Sequence, residues 1–272
     1  MSSYYRYKRS YDNDTKWIKE GRGQGEKENY SCWRRVHEEN YPGQTLRFPN
    51  PCLGRIHQVF GTGQIALLYE YMFDPHIVDI RENYPLTDRD KIAEISYLLG
   101  FKPPRYTQTN TEKIILQDFL LTYDDSTYKA VSLRREKSAN NAANDHIYKL
   151  QEKYWSLRHN TSYEVVIIEK DINQTRTSNL RHIYRTATDI RYILPEKDND
   201  INCLSDEFKK AFLGTLAPVA EIARHLEHKY SLPAGLGVNI FFHLIKTKEI
   251  TCDIDNAPIN ILKKRQPPTG TT

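Results

Sequence analysis

The sequence predicts an α/β fold, with a mixed β-sheet between helices, followed by a second and mostly helical region. Apolar residues recur at spacings of three and four over 63–73 and 138–158, which is typical of amphipathic helices. Four β-rich runs accompany these helices: Ile77–Ile80, Ile114–Thr122, Tyr128–Leu133 and Val165–Ile168. This order of helices and strands predicts a layered α/β domain. The 272 residues suffice for two domains.

Local signals define several element ends in the first region. Asp88 is a helix N-cap, and the helix that it begins extends to Leu99, where Gly100 ends it. The segment 124–126, Asp-Asp-Ser, predicts a hairpin turn between two strands. The β-branched run 165–168 is typical of a buried strand.

The pattern beyond residue 174 is helical. Four helices are predicted: Leu180–Ala187, Ser205–Leu213, Val219–Tyr230 and Leu236–Lys246. Ser205 is the N-cap of the second of them. A short strand is predicted at 249–254, and helices followed by a strand favour a winged-helix-like bundle. We therefore expect a first domain over 16–169 and a second over 170–272.

The formal charge of +4 originates in the N-terminal part of the chain. Residues 1–60 carry 11 Lys/Arg against 7 Asp/Glu, and the remainder is balanced at 28 against 28. Residues 1–15 interleave tyrosines with basic residues, so we expect a flexible arm. Such a composition suits a polyanion and is equally typical of a solvated surface. The loop Gly21–Gly25 has neither a preceding strand nor a GK[ST] sequence, so a nucleotide site is not predicted.

The cysteines and the N-terminus indicate the compartment. The four cysteines are far apart in sequence, which favours reduced thiols over a zinc site or a disulfide framework. The N-terminus shows no apolar signal region, and no apolar stretch approaches ~18 residues. We expect a cytoplasmic protein without a membrane segment.

Asp118 is the first candidate for chemistry, because it interrupts the apolar run 116–120. A buried carboxylate is costly unless it is paired, and a divalent cation is one such partner; an exposed position at a strand edge is the alternative. The next strand places Ser132 and Arg134 near Asp118 if the hairpin register is simple. A metal-dependent phosphodiesterase needs more carboxylates than this.

Six motifs occur in one order between residues 16 and 175. They are WIKEGRGQG at 17–25, GRIH at 54–57, VDIRENYPL at 78–86, DFL at 118–120, KYW at 153–155 and KDIN at 170–173. In this combination the chain resembles the TnsA family, the restriction-endonuclease-like subunits of heteromeric DNA transposases. Beyond residue 175 the likeness is one of length and helical character.

The resemblance implies a function in cut-and-paste transposition. It implies an endonuclease that uses Mg²⁺, or Mn²⁺ in its place, to nick the 5′ ends of the transposon. The partners would be DNA, a TnsB-type transposase that cuts and joins the 3′ ends, and a TnsC-type ATPase regulator. The implied fold is a restriction-endonuclease-like mixed sheet followed by a winged-helix-like domain. Four residues are candidates for contacts to the DNA backbone: Arg22, Arg55, His57 and Arg81. A structural role is the alternative for each.

The family's catalytic residues carry over with two departures. Asp118 matches the strand Asp, Gln64 takes the place of the helical Glu, and Arg134 takes the place of the strand Lys. Ser132 takes the place whose backbone carbonyl reaches the metal. Gln64 is neutral, which weakens or abolishes Mg²⁺ binding, and Arg134 stays protonated and cannot act as a base. We therefore expect impaired or absent catalysis.

Three functions remain open from the sequence. The first is an active 5′-strand endonuclease, and the second is a nuclease-dead subunit that binds transposon ends and bridges partners. The third is a DNA-binding regulator built on the C-terminal helices, which leaves residues 16–175 unexplained.

Overall fold

The computed structural model describes residues 11–106, 109–136, 142–193 and 198–263. The chain divides into two compact units between Ile172 and Asn173. The helices of the first unit are α1 (Tyr11–Lys19), α2 (Gly61–Phe73), α3 (Arg89–Leu98), α4 (Ala142–Ser156) and α5 (Ile168–Asp171). Its strands are β1 (Thr45–Asn50), β2 (Arg55–Phe60), β3 (Ile77–Leu86), β4 (Ile115–Tyr123), β5 (Tyr128–Arg134) and β6 (Thr161–Ile167). The second unit contains α6 (Gln174–Ile193), α7 (Asp198–Gly214), α8 (Val219–Tyr230) and α9 (Leu236–Lys246).

The main sheet of the first unit is mixed, as predicted. Its strand order is β3-β4-β5-β6. The first two pairings are antiparallel and the β5–β6 pairing is parallel, with α4 in the connection. A separate antiparallel hairpin, β1–β2, leads directly into α2.

The two faces of this sheet have different partners. On one face, Ile92 of α3 and Leu150 and Trp155 of α4 are buried against Leu120 and Ala130. Helix α2 lies on the other face, where the rings of Tyr71 and Phe119 are 5.2 Å apart. The Asp88 carboxylate accepts a hydrogen bond from Lys91 N at 3.0 Å, so the predicted N-cap of α3 is confirmed.

The strands of the first unit differ in part from the sequence predictions. The β1–β2 hairpin was not predicted because β1 contains Pro49, which is tolerated at a sheet edge but argues against a strand in sequence. Strand β6 was predicted to be buried, but Val166 is its only buried residue because β6 lies at the end of the sheet order.

The prediction of a flexible arm over residues 1–15 is wrong for residues 11–15. Residues 11–15 belong to α1, and Asp14 is fully buried, where it accepts a hydrogen bond from the Tyr106 hydroxyl at 2.9 Å. This buried contact anchors a polar segment that the sequence could not distinguish from a free arm. Residues 1–10 lie outside the described residues.

The second unit also differs from its prediction. Ser205 is a buried residue within α7 rather than its N-cap, because the helix begins at Asp198. The strand predicted at 249–254 is wrong: this segment is a loop whose apolar pattern arises from two buried side chains, Ile250 and Ile254. All regular structure among the described residues of this unit is helical, so the winged-helix domain stays a prediction. No helix in the described ranges is long and apolar enough to cross a membrane.

The glycine-rich loop after α1 is a close-packed connection. Gly23 has φ +76°, and a Cβ built there would lie 2.1 Å from Pro85 Cγ of β3. Only glycine combines this backbone conformation with this approach.

Gly23→Ala is therefore expected to destabilise the first unit by roughly 2–5 kcal/mol, from left-handed strain plus overpacking. Gly100→Ala is the matched control, because φ is +77° and the space around Gly100 is open; strain alone should cost about 1–2 kcal/mol. Urea unfolding followed by tryptophan fluorescence measures both. Equal losses of unfolding free energy in Gly23→Ala and Gly100→Ala would contradict the role assigned to the close packing against Pro85.

Candidate functional site

Asp118 lies on β4 at an interruption of the sheet. The β3–β4 ladder pairs Glu82 with Phe119 and omits the step at which Asn83 faces Asp118. The β4–β5 pairing begins with Phe119, one residue beyond Asp118. The Asp118 side chain takes the place of a missing backbone acceptor, because its Oδ2 accepts a hydrogen bond from Leu133 N of β5 at 2.8 Å. This bond holds the carboxylate next to the position where the β4–β5 pairing begins.

Gln64 lies beside Asp118, in the first turn of α2. Its Oε1 accepts a hydrogen bond from Phe60 N at 2.8 Å, which ties the end of β2 to the beginning of the helix. Its Nε2 donates to Asp118 Oδ1 at 2.7 Å and to Asn83 Oδ1 at 3.4 Å. The structure thus brings Gln64 and Asp118 together across 54 positions of sequence.

Two opposing effects act on the pKa of the Asp118 carboxyl group. Burial raises the pKa of the carboxyl above its ordinary value. The hydrogen bonds from Leu133 and Gln64 and the charge of Arg34 favour the ionised form, but they do not cancel the effect of burial.

The side chains of Ser132 and Arg134 bind partners other than the Asp118 carboxylate. The Ser132 hydroxyl accepts from Gln117 Nε2 and donates to Gln151 Oε1, both at 2.9 Å, within a buried network near α4. Arg134 also turns to α4, where its Nη2 donates to Asp145 Oδ1 at 2.6 Å. Roles for the Ser132 carbonyl and the Arg134 charge stay predictions.

Glu82, which is fully buried, organises a second group of polar and charged side chains. Its carboxylate binds Arg55 at 2.8 and 3.0 Å, His57 Nδ1 at 2.9 Å and the Gln58 backbone N–H at 2.9 Å. The other ring nitrogen of His57 lies 3.1 Å from Asn50 Nδ2. Burial opposes the ionisation of Glu82, yet His57 and Arg55 outweigh it and hold its pKa well below the ordinary value.

The four residues predicted to contact DNA all bind acceptors within the first unit. Arg55 and His57 are committed to Glu82. Arg22 is 4% exposed and pairs with Glu38 at 2.5 and 3.0 Å. Arg81 is also buried. Its guanidinium binds the Thr122 hydroxyl at 2.9 Å and lies 3.4 Å from carboxylate oxygens of Asp79 and Glu26. In each case acceptors of the same unit bind the side chain, and a contact with the DNA backbone stays a prediction.

Comparisons with known proteins agree with the resemblance seen in the motifs. The family model described as TnsA endonuclease C terminal matches residues 171–254. The Escherichia coli protein named Transposon Tn7 transposition protein TnsA is 25% identical over 174 residues. This is a TnsA-like protein. The aligned stretch covers 63% of the chain and 62% of the Escherichia coli protein, less than two thirds of that relative's length.

The family match covers a part of this TnsA-like protein for which the sequence motifs gave no argument. All six motifs end by residue 173, whereas the matched segment 171–254 holds helices α6 to α9. The likeness therefore extends into the second unit.

A divalent metal has too few acidic ligands in the candidate centre of this TnsA-like protein. Within the described ranges, no group of three or more His, Cys, Asp or Glu side chains could hold a metal ion. Asp118 contributes one carboxylate, and Gln64 directs an N–H donor at it rather than an oxygen. Mg²⁺ takes hard oxygen ligands and favours carboxylates. The residues present do not fit the Mg²⁺ site that the resemblance implies.

Sequence reasoning missed the residues that support Gln64 and Asp118. Asn83 and the Leu133 amide both contact the pair, and neither is a typical ligand or catalytic group. The sequence offered no signal for Asn83 from a predicted strand, because the predicted run ends at Ile80 whereas β3 extends to Leu86.

Proposed function

We propose that this TnsA-like protein is a nuclease-dead subunit of a cut-and-paste transposition complex that binds transposon ends and bridges its partners. The partners are a TnsB-type transposase and a TnsC-type ATPase regulator, as the family resemblance implies. Support for the transposition role comes from the likeness to TnsA. Support for the loss of cleavage comes from one observation, the hydrogen bond from Gln64 Nε2 to Asp118 Oδ1 at 2.7 Å.

This hydrogen bond replaces an electrostatic arrangement that strand cleavage requires. Metal-dependent phosphodiester hydrolysis needs a bound dication to polarise the phosphate and to lower the pKa of the attacking water. A glutamate at position 64 would repel Asp118 and favour a cation between the two carboxylates. The Gln64 carboxamide instead satisfies Asp118 directly, so the centre is stable without a cation. Arg134, which is paired with Asp145, supplies no base.

Reconstitution tests the proposed function. The purified protein is combined with its transposase, its ATPase regulator, a plasmid carrying both transposon ends, and Mg²⁺ or Mn²⁺. Cleavage of each strand is measured on denaturing gels. We expect 3′-strand products without 5′ nicks, and the same products from Asp118→Ala.

Two controls define the outcome. Omission of the TnsA-like protein should reduce the yield of joined product, because the proposal gives the protein a role in assembly. Nicks at the 5′ ends that disappear in Asp118→Ala would show an active endonuclease and refute the loss of cleavage.

An active 5′-strand endonuclease is the second candidate. Its supporting observation is that α2 and β4 still bring positions 64 and 118 into contact. It would have to bind metal through Asp118 with neutral oxygen ligands, so we rank it second.

A further inference from the structure

Asn83 has an unusual backbone conformation beside the Gln64–Asp118 pair. Its φ is +51°, in the left-handed region that residues other than glycine rarely adopt, least of all within a strand. It lies inside β3, where the ladder passes from Glu82 to Tyr84 and leaves Asn83 and Asp118 unpaired. Such strain persists only where the surrounding structure fixes it, and it is concentrated at functional sites.

The left-handed conformation places two successive side chains on one face of the sheet. Side chains of a regular strand alternate between faces. Here the Glu82 carboxylate binds Arg55, and the next side chain, Asn83, also turns to this side and reaches Gln58 and Gln64. Asn83 can reach the centre because of this departure from the strand pattern.

The orientation of Asn83 follows from a backbone group. Its Nδ2 donates to the Gln58 carbonyl oxygen at 2.7 Å, so its Oδ1 faces Gln64. The Phe60 N–H requires an oxygen from Gln64, which leaves Nε2 of Gln64 between two acceptors, Asn83 Oδ1 and Asp118 Oδ1. Position 64 is thus surrounded by one donor, the Phe60 N–H, and two acceptors, the Oδ1 atoms of Asn83 and Asp118. A carboxamide, which has one oxygen acceptor and an NH₂ donor, matches this arrangement.

We propose that Asn83 is a positioning residue that makes position 64 selective for glutamine over glutamate when no cation bridges it to Asp118. A glutamate there would direct an oxygen at Asn83 Oδ1 and Asp118 Oδ1 with no hydrogen between them. The inference deepens the proposed function and rests on it for the view that this centre is stable without metal.

The first test measures the Gln64 carboxamide directly. Asn83→Gly keeps a backbone suited to positive φ and removes only the side chain. In ¹⁵N spectra of the full chain labelled at glutamine, the Gln64 Nε2 protons should exchange at least about 10-fold faster in this variant than in the wild type, as the loss of one buried hydrogen bond implies.

Asn160→Gly is the matched control. Asn160 has φ +55° but is exposed, so this variant relieves the same kind of strain and should leave Gln64 exchange unchanged. Equal exchange rates in the wild type and Asn83→Gly would overturn the proposal.

The second test is a double-mutant comparison of melting temperatures, followed by tryptophan fluorescence without added metal. Gln64→Glu should lower Tm by about 4–8 °C in the wild-type background. The loss should be less than half as large in Asn83→Gly, which removes one of the two opposing oxygens. Equal losses in both backgrounds would overturn the proposal.

Asn83→Asp gives an independent check should Asn83→Gly fail to fold. An aspartate keeps an acceptor for Gln64, so Gln64 exchange should remain slow, whereas the added charge should enlarge the Tm loss caused by Gln64→Glu. An unchanged loss would count against the proposal. Cleavage of 5′ strands by the wild-type protein would refute the proposed function but would alter neither measurement, so the two failures are distinguishable.

Discussion

Gln64→Glu combined with Arg134→Lys is expected to create 5′-strand nicking in the presence of Mg²⁺ or Mn²⁺. A glutamate at position 64 would add a second carboxylate to that of Asp118, across the 2.7 Å contact that Gln64 now occupies. A lysine at position 134 would supply a cation whose pKa can be lowered far enough for proton transfer. Recovery of metal-linked electrostatic stabilisation and proton transfer should raise the nicking rate by at least about 100-fold over the wild type. Denaturing gels of end-labelled transposon DNA measure it.

Two further variants show whether such nicking arises from this centre. Addition of Asp118→Ala to the double variant should abolish it. Gln64→Glu alone should bind metal, seen as a rise in Tm with Mn²⁺, but should nick poorly because Arg134 stays paired with Asp145. Failure of the double variant to gain 5′ cleavage, together with a Tm that does not respond to Mn²⁺, would contradict the placement of the centre.

Glu82→Ala is expected to destabilise the first unit strongly. Glu82 and His57 are fully buried, and the Arg55 side chain is 6% exposed. Removal of the carboxylate leaves the Arg55 charge buried without its partner, which costs about 3–5 kcal/mol. All three tryptophans, Trp17, Trp33 and Trp155, lie in the first unit, so their fluorescence in urea reports its unfolding.

The effect of Glu82 should depend on pH in one direction. Its pKa is lowered in the folded protein, so its contribution is complete above its unfolded value of about 4.3 and is lost as pH falls toward the folded value. The difference between wild type and Glu82→Ala should shrink below about pH 4. A constant difference down to about pH 3 would contradict the assignment.

The exposed pair Lys91–Glu94 provides the control for charge removal. Its atoms are 3.0 Å apart, but the Glu94 side chain is 68% exposed. Solvent screens such a pair, so Glu94→Ala should change stability by less than about 1 kcal/mol. A loss as large as that of Glu82→Ala would mean that burial is not the cause.

Most elements of the first unit were predictable because their signals are local. The apolar periodicity of α2, the Asp88 cap of α3 and the hairpin of β4 and β5 each depend on residues close in sequence. The β1–β2 hairpin and the first residues of α1 were not predictable. Pro49 argues against a strand at β1. The first residues of α1 are held by the contact of Asp14 with Tyr106, which joins residues 92 positions apart.

The same distinction applies to the candidate centre. The motifs predicted Asp118 as a site residue and Gln64 in the place of a glutamate, so the sequence alone predicted a missing carboxylate. The hydrogen-bond partners of these side chains could not be predicted from the sequence. Whether Arg55 reaches DNA or Glu82, and whether Gln64 points to Asp118, depends on contacts across 27 and 54 positions.

The sequence by itself thus determined the likeness to TnsA, the α/β order of the first unit and the residue types of the centre. Only the tertiary structure decided that four candidate DNA contacts are buried and that Gln64 satisfies Asp118 by a hydrogen bond. It also revealed Asn83, whose left-handed conformation no pattern encodes. The physical reason is that periodicity and caps act within a few residues, whereas burial and hydrogen-bond pairing are set by which distant segments the fold brings together.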